Sequence, residues 1–276
     1  MSPENKGNQR WRGKDGNRRI DRSMGNFLTL LRNELRALLI SPSTYIAAFL
    51  FLVIMGFVFQ DLLAEFIRTE SDTAPATDFI RLFWLPAFFL VPLFTMKSIA
   101  EERRLGTIET LMTTPVNSVE VVLSKFLAAY LYYMVLWAST LSFQYVLYTF
   151  AKEPSLLDTG PILGGYLFIA LSGSLFIALG ILASAVTRSQ LVAGILGFAL
   201  VFLTLVLGRY SVEITRHETE PSVLLDRLVD YVQIFQHGED FTSGIIDSRP
   251  FVLYLTGTIL LLFFAVVAVE TRSSKT

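Results

Sequence analysis

Six apolar runs divide this chain, and no charged or histidine side chain interrupts their cores except Arg81, one residue into the second. They are Thr44–Phe59, Ile80–Met96, Phe126–Phe150, Leu163–Val186, Leu191–Leu207 and Phe251–Val269. An α-helix needs roughly 20 apolar residues to cross about 30 Å of hydrocarbon, and most of these runs approach that length. In lipid every backbone N–H and C=O must find its partner inside the segment, so such runs become helices. The sequence therefore predicts an all-α polytopic membrane protein with six transmembrane helices. A mean hydropathy of +0.53 agrees, being too high for a soluble domain of this length. The second and fifth runs, at 17 residues, are short for a crossing, and Gln60-Asp61-Leu62-Leu63 extends the still shorter first run into the headgroups. Only Thr187-Arg188-Ser189-Gln190 separates the fourth run from the fifth, which predicts a tight turn and two adjacent antiparallel spans.

Basic residues orient these spans. With the N-terminus, the loop 97–125, Arg188 and the C-terminal tail on one side, that side holds 16 of the 23 Lys and Arg residues, against 7 opposite. The positive-inside rule makes it cytoplasmic, so both termini face the cytoplasm from a multi-pass inner (cytoplasmic) membrane protein. The loop 208–250 is then exterior, with 4 basic and 8 acidic residues. No cleavable signal peptide is expected, because the first strongly apolar run begins only near Tyr45.

Residues 1–23 form a polar, basic tail that includes Arg10, Arg12, Arg18 and Arg19, a composition expected to be disordered. The six-span domain then covers 24–272. It opens with an amphipathic helix, Met24–Ile40, on which Phe27, Leu31, Leu35 and Leu38 recur at helical spacing, flanked by Leu28 and Leu39. Ser41-Pro42 ends that pattern, and the helix is expected to lie in the membrane interface. In the exterior loop, Leu224, Leu225, Leu228, Val229 and Val232 make one apolar face, and Phe235, Phe241, Ile245 and Ile246 a second. Two short helices follow, either dipping into the outer leaflet or capping the spans from solvent.

What the spans lack narrows the function. A proton-driven carrier usually buries a carboxylate or histidine for its coupling ion, and none lies at depth here. Arg81 reads as a boundary residue that snorkels to the headgroups. The polar groups at depth are mild, with Ser139, Ser142 and Gln144 of the third span the candidates for a translocation pathway. Small residues, among them Ser184 of the fourth span and Gly194 and Gly197 of the fifth, would allow close helix approach, the last two across a two-fold interface. No Gly-x-x-x-x-Gly-Lys-Ser/Thr phosphate loop, Gly-x-Ser-x-Gly elbow or His-Glu-x-x-His pair occurs. His217 and His237 read as solvated loop histidines, and there are no cysteines, so no thiolate metal site is expected. A net charge of −1 points to no nucleic-acid partner. Neither a catalytic site nor a cofactor is therefore expected in this chain.

One stretch breaks the avoidance of charge. Ile99-Ala-Glu-Glu-Arg-Arg-Leu-Gly-Thr-Ile-Glu-Thr-Leu-Met-Thr-Thr-Pro115 lies within the loop 97–125, and Gly106 and Pro115 fence off a short helix, Thr107–Thr114. Asn117 with Glu120 three residues on reads as a capping box for the next helix. An ordinary charged loop fits these residues, and so does a compact element built to receive force from a partner.

The segment Glu101–Leu111, continued by Thr114-Pro115-Val116 and by Ser124-Lys125 before the third span, resembles the coupling loop of permease subunits of type-2 ABC transporters. The segment Phe235-Gln-His-Gly-Glu-Asp-Phe-Thr-Ser-Gly-Ile-Ile-Asp247 is similar to a pattern of the gliding-motility and copper-maturation (nitrous oxide reductase) branches of that family. The resemblance spans about residues 24–272. It implies a permease coupled to a separate ABC ATPase, with ATP and magnesium held by that partner. Glu101, Glu102, Arg103, Arg104 and Glu109 would make charged contacts with the ATPase, and Leu105, Ile108 and Leu111 apolar ones. The short helix that begins at Thr107 would dock on the ATPase, Gly106 would allow the sharp turn before it, and Pro115 would set the exit. It also implies a second permease, identical or related, completing the pathway within the lipid bilayer. A membrane scaffold that recruits a cytoplasmic partner, or a neutral-site secondary transporter, would use the same sequence differently.

Overall fold

A computed structural model describes residues 25–69, 75–106, 117–150, 159–217, 233–245 and 247–273. The basic tail 1–23, the expected coupling helix Thr107–Thr114 and the first of the two expected exterior helices lie outside the described residues. Among the described residues all regular structure is helical. Helix α1 covers residues 25–40, followed by α2 (Pro42–Thr69), α3 (Pro75–Arg81), α4 (Trp84–Thr95) and α5 (Ala100–Leu105). Then come α6 (Ser118–Ser139), α7 (Leu141–Phe150), α8 (Thr159–Val186), α9 (Gln190–His217), α10 (Ile234–Thr242) and α11 (Ser248–Ser273).

Among the described residues five segments are long and apolar enough to cross a bilayer: Pro42–Arg68, Ser118–Thr149, Thr159–Val186, Gln190–Gly208 and Ser248–Thr271. A sixth exists if α3 and the following Trp84–Leu105, bent by 42°, count as one crossing. The bend falls where the sequence reading had a continuous run, Ile80–Met96, and proline explains it. Pro86 has no N–H for the carbonyl of Leu82, so the chain turns through Leu82-Phe83 with the shorter bonds Phe83 N–H to Ile80 O and Leu85 N–H to Leu82 O.

The third run is divided too. Thr140 Oγ1 donates to Trp137 O, and Ser142 Oγ donates to Ser139 O at 2.7 Å. Hydroxyls bonding back to the preceding turn compete with the helix ladder and separate α6 from α7. At the other end α6 begins at Ser118, eight residues before the apolar run. There the expected capping box is present, with Asn117 N–H donating to Glu120 Oε2 at 3.4 Å. Likewise α9 continues to His217, ten residues past the expected end of the fifth span, because apolarity marks where a helix leaves lipid and not where it stops.

Helix α8 is the centre of the bundle. Its apolar window is 67% buried, against 17% in α2 and 28% in α9 and α11, whose outer faces carry Phe49, Phe57, Phe202 and Phe263 toward lipid. Polar ties join α8 to its neighbours: Tyr130 Oη donates to Ala170 O at 3.1 Å, Thr140 and Tyr166 share a hydroxyl bond of 2.7 Å, and Ser174 and Thr258 one of 3.1 Å. In a bundle with little hydrophobic drive between helices, such bonds and close packing hold the pairs together. Trp137 and Phe51 (ring centroids 5.6 Å apart) seal α6 against α2.

Helix α10 packs into this bundle. Phe241 is fully buried, with its ring 5.9 Å from Phe168 of α8 and 5.8 Å from Phe251 of α11. Arg81, expected at the headgroups, is tied to the same helix by its Nε, which donates to Thr242 Oγ1 at 3.1 Å, while its Nη1 donates to Asp78 Oδ1 of its own helix at 3.2 Å.

Candidate functional site

The charged segment after α4 is built onto the bundle by specific bonds. The turn 96–99 ends with the backbone N–H groups of Ile99 and Ala100 both donating to Ser184 Oγ, each at 3.0 Å. These are open donors at the start of α5, so a side chain of α8 caps the helix from outside the local sequence. Arg104 is exposed, Glu101 lies 3.8 Å from it, part-exposed at the edge of a cavity beside α1, and Leu105 is 62% exposed. Gly106 closes α5 at φ +70°, its N–H returning to Arg103 O. A left-handed residue at that position favours glycine, as the sequence reading required.

The other two charges turn inward. Arg103 donates through Nη1 to Ala185 O and through Nη2 to Ala268 O, the latter at 2.9 Å, spanning the ends of α8 and α11. Glu102 Oε1 accepts from Lys125 Nζ at 2.6 Å, and Glu34 Oε1 of α1 accepts from the same ammonium at 2.6 Å. The Lys125 side chain is only 3% exposed. An ammonium removed from water this far requires close countercharge, and two carboxylates supply it. One lysine of α6 therefore binds the amphipathic helix α1 to the charged helix α5.

The expected set thus divides. Arg104 and Leu105 face outward, Glu101 stands at the edge between solvent and the cavity beside α1, Glu102 and Arg103 bind within the chain, and Gly106 forms the turn. Thr107, Ile108, Glu109, Leu111 and Pro115 lie outside the described residues. Sequence reasoning missed three members of this site. Glu34 went unremarked on α1, Ser184 read as a small packing residue, and Lys125 stood only as the end of a motif. A lysine one residue before the apolar run, with no acid within four positions but Glu120 five away, was the available signal.

The pathway candidates also find their neighbours at home. Gln144 is 6% exposed, and its Nε2 donates to Ala76 O of α3 at 3.5 Å. Ser139 Oγ donates to Leu136 O of its own helix, and Ser142 is exposed. Gly197, expected at a two-fold interface, is buried instead between Gly180 and Ala183 of α8 and Pro92 of α4. An opening lies beside it. An apolar groove of about 710 Å³ runs between α4 and α9, floored by Phe89, Leu93, Ile195 and Phe198, with Arg104 at its rim.

On the opposite side of the bundle, His237 of α10 is half-buried and shares a hydrogen bond of 3.3 Å with the Tyr254 hydroxyl, through Nδ1. It is not the solvated histidine expected from the sequence. Burial pushes its pKa below the ordinary 6.5, outweighing Asp240 and Asp247, which pull it up. The unfolded chain therefore takes up the proton first, so His237 contributes stability that is complete above about pH 6.5 and declines as pH falls through the folded value. A thermal melt series from pH 7.5 to 5 is expected to show this decline, and His237→Gln to flatten it. An unchanged slope in the variant would remove His237 as its source.

No curated protein matches this chain. The model for an ABC-2 family transporter protein matches residues 28–271, from α1 to the last turns of α11, and thus takes in the membrane helices and the charged segment together. With that match over most of its length, the chain belongs to the ABC-2 transporter family and is a multi-pass membrane permease component of an ABC transporter.

Proposed function

We propose that this chain is one half of an ATP-driven permease pair and receives force from a separate ABC ATPase through the loop 97–125. The ATPase would hold ATP and magnesium, and this chain contributes no cofactor. The observation that carries the reading is the anchoring of α5. Ser184, Arg103 and the Lys125 ion pairs join this short helix to α8, α11, α6 and α1, so a push on α5 reaches four other helices. A loosely tethered loop would dissipate it.

The roles of the charged residues follow their directions. Glu101, Arg104 and Leu105 meet the ATPase, together with Thr107, Ile108, Glu109 and Leu111. Gly106 and Pro115 bound that contact, and Glu102 and Arg103 transmit displacement inward. For the pathway, Ser142 is retained as an outward polar group, with Ser139 beside it at the α6–α7 break, while Gln144 packs against α3. We read α3 with α4 as the second of six crossings. The 16-to-7 split of basic residues supports an inner-membrane orientation with both termini cytoplasmic. The segment Phe235–Asp247 supports kinship with the gliding-motility and copper-maturation branch. A second copy or a related permease completes the assembly.

The test uses the full chain co-expressed with its ATPase. Arg104→Glu combined with Leu105→Ala changes two exposed residues, so the melting temperature should hold while co-purification with the ATPase falls about tenfold, the loss expected when two central contact residues are removed. Normal co-purification and normal stimulation of ATP hydrolysis by the double variant would overturn the docking assignment. A partner lost by the double variant that hydrolyses no ATP would identify a scaffold, and transport by the purified chain without ATP a secondary carrier.

A further inference from the structure

The end of α4, α5 and the joint between α1 and α2 enclose a cavity of about 390 Å³ whose walls differ in charge. On one wall Lys97 Nζ donates to Ser43 Oγ at 3.1 Å, and Ser43 Oγ lies 2.8 Å from Ser41 Oγ, so an ammonium and two hydroxyls converge. On the other, Glu34, Glu101 and Glu102 line the cavity with Lys125 as the cation among them. Three carboxylates against one lysine leave that wall negative. Arg104, the ion-pair partner of Glu101 at 3.8 Å, stands outside the cavity and lines the neighbouring groove, and with it counted three carboxylates still face two cations.

A simple anion would satisfy Lys97 and meet the carboxylates, whereas a simple cation would do the reverse. A ligand with a phosphate at one end and a primary ammonium at the other complements both walls. The surroundings extend the pattern. Leu93 lines both this cavity and the apolar groove between α4 and α9. Leu93 and Phe89, one turn apart on α4, are 39% and 44% exposed. A polar cavity joined through one leucine to an apolar groove matches the two halves of an amphiphile.

We propose that this is a binding site for an aminophospholipid, with the phosphate on Lys97, Ser41 and Ser43, the ammonium on Glu101 and Glu34, and an acyl chain passing Leu93 into the groove. A phosphodiester accepts charge-assisted bonds from an ammonium and from hydroxyls, and a primary ammonium gives three such bonds to carboxylates. Because α5 forms part of the wall, lipid in this site braces the charged segment against α1 and α2. Glu101 enters both this site and the docking assignment, but lipid binding is read on the chain without its ATPase, so the two fail separately.

The test is native mass spectrometry of the full-length protein in detergent, titrated separately with phosphatidylethanolamine, phosphatidylglycerol and phosphatidylcholine of identical acyl chains. The wild type should retain phosphatidylethanolamine above the other two, since a quaternary ammonium donates no hydrogen bond and a glycerol headgroup carries no cation. Lys97→Gln should weaken phosphatidylethanolamine binding about tenfold, the loss expected for one charge-assisted bond to phosphate, while Lys97→Arg retains it. Glu101→Gln should erase the preference over phosphatidylglycerol without loss of phosphatidylglycerol itself, a change that misfolding would not produce. Equal retention of all three lipids, or a preference that survives both Lys97→Gln and Glu101→Gln, overturns the proposal. Soluble glycerophosphoethanolamine binding as tightly as the lipid would assign the site to a soluble phosphoamine and overturn the lipid assignment.

Discussion

Lys125→Ala is expected to lower the stability of the protein by about 3 kcal/mol, the lower end of what removing one partner of a buried ion pair costs. The lower end applies because the carboxylates keep some access to water, at 25% side-chain exposure for Glu34 and 23% for Glu102. Without the ammonium these two acids are left close together at a largely buried site, and the strain is relieved by releasing α1, α5 or both from α6. A melt in detergent should therefore drop by several degrees, and limited proteolysis should cut near Ser41 and Gly106 before the rest of the bundle opens. The triple variant Lys125→Met, Glu34→Gln, Glu102→Gln removes charge from all three positions at similar volume and should recover most of the loss, since a neutral packed cluster incurs no ion desolvation. If Lys125→Ala melts with the wild type, the ion pairs contribute nothing to holding α5, and the force path through them falls with that result.

The parts of this fold that were legible from sequence are those fixed by local chemistry. Apolar runs located the spans because lipid forbids unsatisfied backbone, and Gly106 announced its turn because φ +70° excludes most other residues. The Asn117–Glu120 cap was legible for the same reason, three residues being its whole extent. Pro86 carried the division of the second run in plain sight, but hydropathy averages over a proline and hides what it does to the ladder. The directions of Glu102 and Arg103 were not legible at all. They sit side by side on α5, and what turns them inward lies far along the chain: the Ala185 and Ala268 carbonyls for Arg103, 82 and 165 residues away, and Lys125 for Glu102. Charge in a loop suggested contact with a partner, whereas half of it is spent on contact with the chain itself. Ser184 illustrates the limit from the other side. A small residue in a central helix reads as packing, and only the arrival of the Ile99 and Ala100 N–H groups makes it a cap.

Gly180→Ala is expected to be the most damaging single methyl group that can be added to the bundle near this site. A Cβ there would stand 2.2 Å from Thr95 Oγ1 and 2.8 Å from Thr95 Cβ and Cγ2. Thr95 has little room to yield, being 1% exposed, with its hydroxyl already donating to Val91 O at 2.7 Å. It is also the last residue of α4, directly before the turn that delivers α5, and Ser184 caps α5 one helical turn along α8 from Gly180. The added methyl therefore pushes α4 away from α8 at the point where α5 is fastened. Overpacking of this kind costs about 1–3 kcal/mol, and here it should also reduce ATP-coupled activity by shifting Ile99 and Ala100 off Ser184. Moving the space to the other helix tests the mechanism. Thr95→Gly empties the volume the methyl needs, so the double variant Gly180→Ala, Thr95→Gly should be more stable than the sum of the two single changes predicts, by a coupling of about 1 kcal/mol or more. Strict additivity would mean that α4 and α8 do not meet through this pair, and that the seating of α5 depends on something other than the close approach at Gly180.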